Sequence, residues 1–322
     1  MVQETNTLDA FEAVPIGAAL GAEVRGVDLS RPIGDELRAA LRQAWYDHLV
    51  LLFRGQDLHP DDIAGIGDLF GGAQGAGAQR RIENSGHKIP AHKKTGNPAV
   101  TVISNLGENG GPVMDNGDLG SYEVVWHTDN SFIEVPPAGT FLYAVEVPVN
   151  GGGDTSFNNQ YLAWERLPDD LKKRIWGRDQ RQDWSRNSAG KLRRTAVLPK
   201  TPEEVDGPAH PMVRIHPYSG RPALYLGRRR TWPSNYVLGM SNEESERLLD
   251  ELWEHATRED LKWTHVWKRG DAVLWDNRCV MHYRTEIDSS KRRVMWRTLV
   301  KGEPIIPAWK DSETTEMAGT HG

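Results

Sequence analysis

A short apolar run, LVLLFRG at residues 49–55, sets the strongest limit on how this chain folds. A continuous apolar run that ends at a glycine is typical of a β-strand buried on both faces. The stretch before it, residues 34–48, spaces Leu37, Leu41 and Trp45 at the intervals of one helical face. The chain is therefore predicted to pass from an amphipathic helix directly into a buried sheet strand.

Other segments carry helical or strand patterns. Helices are predicted at residues 59–70, 161–177 and 241–256, the last opened by the capping signature SNEE. Strands are predicted at residues 99–104, 140–147, 212–216, 223–226, 272–275 and 294–299. Because strands surround the helices and no βαβα alternation with a phosphate loop is seen, the predicted fold class is β-rich α+β, a single domain over residues 1–322 with flanking helices.

Two long stretches lack such patterns. Residues 71–120 are rich in glycine, and residues 180–210 are polar and basic. Weakly patterned stretches of this length inside a compact domain are usually functional or mobile. We interpret both as possible active-site cover, with a solvated surface insertion as the alternative for the second.

Composition argues against several classes of protein. No run of eighteen apolar residues could span a membrane, and the first residues lack the features of a signal peptide. Against 45 acidic residues there are 39 basic ones, without a long basic block, so a nucleic-acid partner is not expected. The one cysteine, Cys279, cannot form an internal disulfide, which fits a reducing cytoplasm. We expect a cytoplasmic protein whose partner is a small molecule.

The tripeptide His127-Thr128-Asp129 is the first feature that points to chemistry. In extended backbone, residues two apart point to the same side, so an imidazole and a carboxylate would aim at one point. A third ligand would complete a two-histidine, one-carboxylate face with three metal positions open, as non-haem iron oxygenases require. Chance and ordinary capping also produce this tripeptide, so alone it is weak evidence.

A second histidine, His282, follows a predicted strand and a tight turn, and a basic strand comes after it. Arg293 and Arg297 would share one face of that strand. Two guanidiniums on one face repel each other unless an anion is present, and arginine suits bidentate recognition of a carboxylate. A dicarboxylate bound beside a divalent metal would explain both arginines. A strand histidine satisfied by a backbone carbonyl, and a solvated arginine face, are the plain alternatives.

Several ordered blocks resemble the taurine dioxygenase and phenoxyacetate dioxygenase family of 2-oxoglutarate enzymes. The blocks are LGAEVRGVDLSRP, LVLLFRGQ, DLFG, WHTDNSF, PPAGTFLYAVEVPVNGGGDTSF, WKRGDAVLWDNRCVMHYR and RRVMWR. The resemblance covers a core of about residues 15–300. It implies a distorted double-stranded β-helix, or jelly roll, with helices packed outside, and assembly as a dimer or tetramer.

The resemblance also assigns the cofactor site. His127, Asp129 and His282 match the ligands of iron(II), with 2-oxoglutarate and O₂ as co-substrates. Arg293 and Thr155 match the arginine and threonine that hold the distal carboxylate of 2-oxoglutarate.

Three residues are expected near the substrate. Arg297 matches an arginine used near the 1-carboxylate of 2-oxoglutarate or against an anionic group of the substrate. Trp275 matches an aromatic residue near the metal, although a plain core role is an equal alternative. Glu123 stands where sulfonate-specific relatives have asparagine. It could pair with Arg297 or with an amino group of the substrate, or it could be an ordinary residue on a strand face.

The expected reaction is oxidation of a C–H bond in a small, carboxylate-bearing substrate, with release of succinate and CO₂. Asp129 indicates oxygenation rather than halogenation, because related halogenases have a small residue in its place. A sulfonate or sulfate ester is the alternative substrate. Outside this class, a zinc hydrolase and a non-catalytic binding protein on the same scaffold are the alternatives.

Overall fold

The computed structural model describes residues 6–74, 94–193, 195–229 and 234–309. Its α-helices are α1 (Asp35–His48), α2 (Pro60–Phe70), α3 (Gln160–Glu165), α4 (Asp169–Ile175) and α5 (Asn242–Ala256). Short 3₁₀ helices cover Leu8–Ala10, Pro202–Glu204 and Glu259–Leu261. Its strands are β1 (Glu12–Pro15), β2 (Ala22–Arg25), β3 (Val50–Phe53), β4 (Ala73–Gln74), β5 (Thr101–Ser104), β6 (Val124–His127), β7 (Gly139–Glu146), β8 (Thr155–Asn159), β9 (Asp179–Gln182), β10 (Ala209–Pro211), β11 (Val213–Ile215), β12 (Pro222–Leu224), β13 (Asn235–Val237), β14 (Lys262–His265), β15 (Ala272–Asp276), β16 (Val280–Arg284), β17 (Val294–Val300) and β18 (Ile306–Pro307).

The larger sheet has eight strands in the described residues. Its order is β1-β2-β3-β15-β7-β17-β4, and β5 pairs with β17. The apolar run supplies β3, which is buried at all of its positions. Strands β2 and β15 flank it, and α1 and α2 pack one face of the sheet through Leu41, Trp45 and Ile63. The prediction of a strand buried on both faces is confirmed.

The other face of this sheet packs against a second sheet, of four strands in the order β14-β8-β16-β6. Leu142, Trp275 and Met295 from the larger sheet meet Phe157 and Val280 from the smaller one in a shared apolar cluster. Because strand side chains alternate between faces, both sheets contribute every second residue to this interior. The predicted β-rich α+β class, with flanking helices, is confirmed.

Capping residues explain where two helices begin. The Ser241 side chain accepts a hydrogen bond from the Glu244 N–H, and the Glu244 carboxylate accepts one from the Ser241 N–H. This capping box begins α5, as the sequence predicts. Pro60 opens α2 at a position where a missing N–H costs nothing.

One predicted helix is wrong. The expected helix over 161–177 is two short helices, because Pro168 lacks an N–H and disfavours helical backbone in the residue before it.

No helix in the described part of the chain is long and apolar enough to cross a bilayer.

Part of the basic stretch over 180–210 is folded into the protein. Strand β9 lies between β10 and β13, and Asp183, Ser185, Asn187 and Ser188 after it are buried. A solvated insertion is therefore the wrong description of its first half. In the other weakly patterned stretch, residues 75–93 lie outside the described part of the chain.

A buried ion network braces the end of β15. Arg278 donates two hydrogen bonds to the carboxylate of Asp276, at 2.8 and 2.6 Å, and His216 lies 3.1 Å from the same group. Arg278 also bonds Glu303 at 2.9 Å and lies over the Trp45 ring. Burial alone would raise the pKa of Asp276, but Arg278 and His216 lower it well below its usual range.

We predict that Asp276→Asn lowers the free energy of unfolding at pH 7 by about 3–5 kcal/mol, because the buried guanidinium of Arg278 loses its buried charge partner and keeps only the partly exposed Glu303. The depressed pKa stabilises the folded wild type above the unfolded-state value of about 3.9, and this contribution declines as pH falls below that value. Urea titrations should therefore show a smaller difference in the free energy of unfolding between wild type and Asp276→Asn below pH 4 than at pH 7. Equal stability at pH 7 would contradict the assignment.

Candidate metal and co-substrate site

Three ligand-type side chains converge at one end of the interior between the sheets. His127 is the last residue of β6, and His282 lies directly opposite it in β16. Asp129 follows in the turn after β6. One donor atom from each residue lies within 4.8 Å of the other two, and all three residues are buried. The structure therefore brings together the predicted metal ligands.

A turn, rather than an extended strand, aims Asp129 at the histidines. Strand β6 stops at His127, and Asn130 adopts left-handed backbone with φ 49°. Asparagine tolerates this conformation better than most residues. Thr128 N–H donates to Gly227 O at 2.9 Å, which ties the turn to a neighbouring loop. Strand β6 thus ends at His127, and the turn that follows it carries Asp129.

The three groups present lone pairs to one another. His127 Nδ1 lies 2.8 Å from Val125 O, and because a carbonyl only accepts, Nδ1 carries the proton and Nε2 is free to bind a metal. His127 Nε2 is 3.7 Å from Asp129 Oδ1, beyond hydrogen-bond distance. Facing acceptors of this kind suit a divalent cation, so this donor set fits the iron(II) that the sequence predicts.

The ionisation states favour metal binding. Burial, followed by the charge of His282, holds the pKa of His127 well below its ordinary value, and burial also lowers the pKa of His282. Burial opposes ionisation of Asp129, but His282, Arg297 and His127 outweigh it and lower its pKa to about 2. At neutral pH the imidazoles are neutral and the carboxylate is ionised, which are the forms that bind metals.

Two residues beside Asp129 were not found from the sequence. Thr140 Oγ1, in β7, donates to Asp129 Oδ2 at 2.7 Å. Asn277 Nδ2 donates to Thr140 Oγ1 at 2.9 Å, and Trp275 Nε1 donates to Asn277 Oδ1 at 3.0 Å. Thr140 and Asn277 are 137 positions apart, so no local spacing links them. The Trp275 ring also lies 4.7 Å from that of His282, which agrees with the expected aromatic residue near the metal.

Arg293 is a buried cation that forms no salt bridge in the described part of the chain, although the charge of Asp154 partly offsets the fall in its pKa. It is 2% exposed, and Nη2 donates to Gly153 O at 3.3 Å. Burial, followed by the nearby charge of Arg284, lowers the pKa of Arg293 well below its ordinary value. A Cβ on Gly153 would lie 2.9 Å from Arg293 Nε, so only glycine lets this guanidinium pack against the backbone. The surroundings of Arg293 therefore favour a bound anion.

Thr155 begins β8 and is buried. Its hydroxyl oxygen accepts a hydrogen bond from Trp267 Nε1 at 2.9 Å. The indole N–H is only a donor, so the hydroxyl proton of Thr155 stays available for an acceptor. Thr155 can therefore donate to a carboxylate, as the resemblance implies.

Arg297 lies beside Asp129, one of the three predicted metal ligands. Its Nη1 is 3.8 Å from Asp129 Oδ1, and its buried Nε has no hydrogen-bond partner among the residues that the structure describes.

Glu123 lies at an exposed position just before β6, as the alternative of an ordinary surface residue describes. The option of a Glu123–Arg297 pair is wrong, because Glu123 is exposed and accepts a hydrogen bond from the Tyr283 hydroxyl. Tyr283 follows His282 in β16, and successive strand side chains point to opposite faces. The partner of Glu123 thus lies on the face turned away from His127, Asp129 and His282.

Two chain segments meet beside β6. Ser188 O accepts from Val125 N–H at 3.0 Å, and Asn187 Nδ2 donates to Asp118 O at 3.1 Å. Lys191 Nζ bridges to Asp115 at 2.8 Å. Residues 115–118 and 187–191 are thereby joined to each other and to the strand that carries His127.

The sequence matches the model of a known family, described as "Taurine catabolism dioxygenase TauD, TfdA family", over residues 12–299. A (S)-phenoxypropionate/alpha-ketoglutarate-dioxygenase of Sphingobium herbicidovorans is 30% identical over 305 residues, which are 92% of this chain and 96% of that protein. An alpha-ketoglutarate-dependent sulfate ester dioxygenase of Pseudomonas putida is 30% identical, covering 93% of this chain and 91% of that one.

A solved structure also resembles this one. The crystal structure of AAD-2 in complex with Mn(II) and N-oxalylglycine aligns with a TM-score of 0.75 and 27% identity. The alignment covers 92% of this chain and 98% of that one.

Proposed function

The chain belongs to the TauD, TfdA family and is an alpha-ketoglutarate-dependent dioxygenase; we propose that it oxidises a C–H bond of a small, carboxylate-bearing substrate at iron(II) held by His127, Asp129 and His282. The convergence of these three buried donors, with the half-buried cation Arg297 3.8 Å from the carboxylate of Asp129, is the observation that carries the proposal. Iron(II) bound there, together with 2-oxoglutarate and O₂, supplies the oxidising power, with succinate and CO₂ as co-products.

The residues of this chain bind and orient the reactants. We assign the distal carboxylate of 2-oxoglutarate to Arg293 and Thr155, because one is a buried cation without an anion and the other holds a free hydroxyl proton. Both groups are fixed by buried contacts, so little side-chain entropy is lost on binding. Burial of the site also excludes water and strengthens these charge interactions.

The charge around the metal supports an anionic substrate. Two carboxylates of 2-oxoglutarate offset the divalent metal, which leaves the charge of Asp129 against that of Arg297 beside it, with Arg293 as a further buried cation. A carboxylate on the substrate would balance the remaining charge, and Arg297 Nε is available to bind it. The phenoxypropionate relative supports this choice. The sulfate ester relative supports the alternative, a sulfonate or sulfate ester.

We propose that the two facing sheets form a distorted double-stranded β-helix within one domain. Helices on the outer face of the larger sheet and the shared interior cluster support this description. The joined segments 115–118 and 187–191 are proposed to cover the site beside β6.

Two functions outside this class explain the site less well. A zinc hydrolase would use the three ligands but would have no role for the buried guanidinium of Arg293. A non-catalytic binding protein would not need the two neutral imidazoles and ionised carboxylate that the site provides. The substrate-binding assignments of Glu123 and Trp275 stay predictions.

We also propose that the enzyme works in the cytoplasm as a homo-oligomer, a dimer or a tetramer. Cys279 is the one cysteine of the chain and is buried as a free thiol, so the protein uses no internal disulfide, which fits a reducing compartment. Family resemblance is the basis for the oligomer.

Arg293→Met should weaken 2-oxoglutarate use, because a buried charge-assisted contact of about 1.5–3 kcal/mol is lost, which is roughly 10- to 150-fold in affinity. The measurement is the 2-oxoglutarate concentration that half-saturates succinate formation. Arg292→Met is the matched control, since Arg292 is an exposed neighbour paired with Glu146. Unchanged half-saturation in Arg293→Met would remove this residue from the co-substrate site.

The substrate class is tested by substrate-dependent succinate release. Aryloxyalkanoic acids, their neutral methyl esters and alkyl sulfate esters would be compared at equal concentration with the same iron and 2-oxoglutarate. We expect the acids to stimulate succinate release and the methyl esters to fail, because Arg297 needs an anion. Stimulation by sulfate esters alone would favour the alternative substrate. Equal stimulation by acid and methyl ester would contradict an anionic substrate.

A further inference from the structure

We propose that Thr140 and Asn277 are positioning residues that hold Asp129 ready to bind the metal through one oxygen only. The inference rests on the proposed function, because it concerns how the same site receives iron(II) and 2-oxoglutarate. The carboxylate of Asp129 has two oxygens, and the protein treats them differently. Oδ2 accepts a hydrogen bond from the Thr140 hydroxyl at 2.7 Å, whereas Oδ1 lies 3.7 Å from His127 Nε2.

Three hydrogen bonds run in series from Trp275 through Asn277 and Thr140 to Asp129, and the direction of each one is fixed. The Trp275 indole N–H can only donate, so the oxygen of the Asn277 amide must face it at 3.0 Å. The amide nitrogen of Asn277 is then turned to Thr140 Oγ1, at 2.9 Å, and it can only donate there. Thr140 therefore accepts from Asn277, and its one proton points at Asp129.

Burial prevents water from replacing these contacts. Thr140 is 0% exposed, Asn277 1% and Trp275 2%. Thr140 lies in β7, and Asn277 directly follows β15, the neighbouring strand of the same sheet. The backbone of Asn277 also donates to Ala138 O at 2.9 Å. A rigid sheet therefore holds the donor that reaches Asp129.

The one-oxygen mode matters for the number of open metal positions. Three protein donors leave three positions of an octahedral metal, and a chelating co-substrate takes two of them. If Asp129 bound through both oxygens, the last position would be lost. A hydrogen bond to Oδ2 opposes that second bond and lets Oδ1 face the cluster alone. Partners of this kind typically change metal affinity or activity by 10- to 100-fold when removed.

Thr298 offers a matched control. It is a buried threonine in β17, opposite Phe141 of β7, and its hydroxyl has no hydrogen-bond partner in the described part of the chain. Thr298→Val and Thr140→Val make the same chemical change in adjacent strands, and only one of them removes a donor to Asp129. Thr140→Ser keeps that donor.

The test is a titration of the metal-free protein with Mn(II), with saturating 2-oxoglutarate, in which electron paramagnetic resonance reports the free ion. We expect Thr140→Val to bind Mn(II) about 10- to 100-fold more weakly than the wild type. Asn277→Ala should weaken binding in the same direction but less, while Thr140→Ser and Thr298→Val should bind as the wild type does. Urea unfolding of each variant confirms that it is folded.

Each result has one meaning. Wild-type affinity in folded Thr140→Val would overturn the inference, and so would equal losses in Thr140→Val and Thr140→Ser or in Thr140→Val and Thr298→Val. If Thr140→Val does not fold, Thr140→Ser and Asn277→Ala decide. Wild-type Mn(II) affinity in Thr140→Ser together with weaker Mn(II) binding in Asn277→Ala supports the inference, and any other pair of results overturns it. A wild type that binds no Mn(II) would instead contradict the proposed function.

Discussion

Three buried lone-pair donors that face one another without a hydrogen bond between them are the constraint on which the site depends. His127, Asp129 and His282 lie within 4.8 Å of each other, and the arrangement costs free energy unless a cation joins them. The protein holds this arrangement by strand pairing, since β6 and β16 set the histidines opposite each other. A turn then returns Asp129 to the same point. The rest of the interior supplies what such a centre needs: fixed orientation, counter-charge and exclusion of water.

Two groups of residues around the three donors have different roles. The first is Thr140 and Asn277, which orient the carboxylate of Asp129 through hydrogen bonds whose direction the Trp275 indole fixes. The second is the buried cation Arg293, which forms no ion pair with a carboxylate of the described residues. The second feature is costly in the protein alone, which is why a bound dicarboxylate explains it better than a structural role.

Much of the fold could be predicted from local patterns. The apolar run of β3 and the amphipathic helix α1 were clear because burial on a sheet or a helix face leaves a periodic signal. Local patterns failed where the answer depended on distant residues or on one proline, as at Pro168 between α3 and α4. The convergence of His127, Asp129 and His282 was predicted because two of them are near neighbours in the sequence and the family resemblance pointed to all three. Thr140 and Asn277 meet only across β7 and β15, so their pairing needed the structure.

The three donors are proposed to bind iron(II) and to leave room for 2-oxoglutarate to chelate it. The direct measurement is the visible charge-transfer absorption that appears when oxygen-free protein is mixed with iron(II) and 2-oxoglutarate. We expect this band in the wild type and its loss in His127→Ala and Asp129→Ala. A wild type that is fully loaded with iron(II) and 2-oxoglutarate but shows no band would contradict it. An unchanged band in Asp129→Ala would also contradict it, because the carboxylate would not be a ligand.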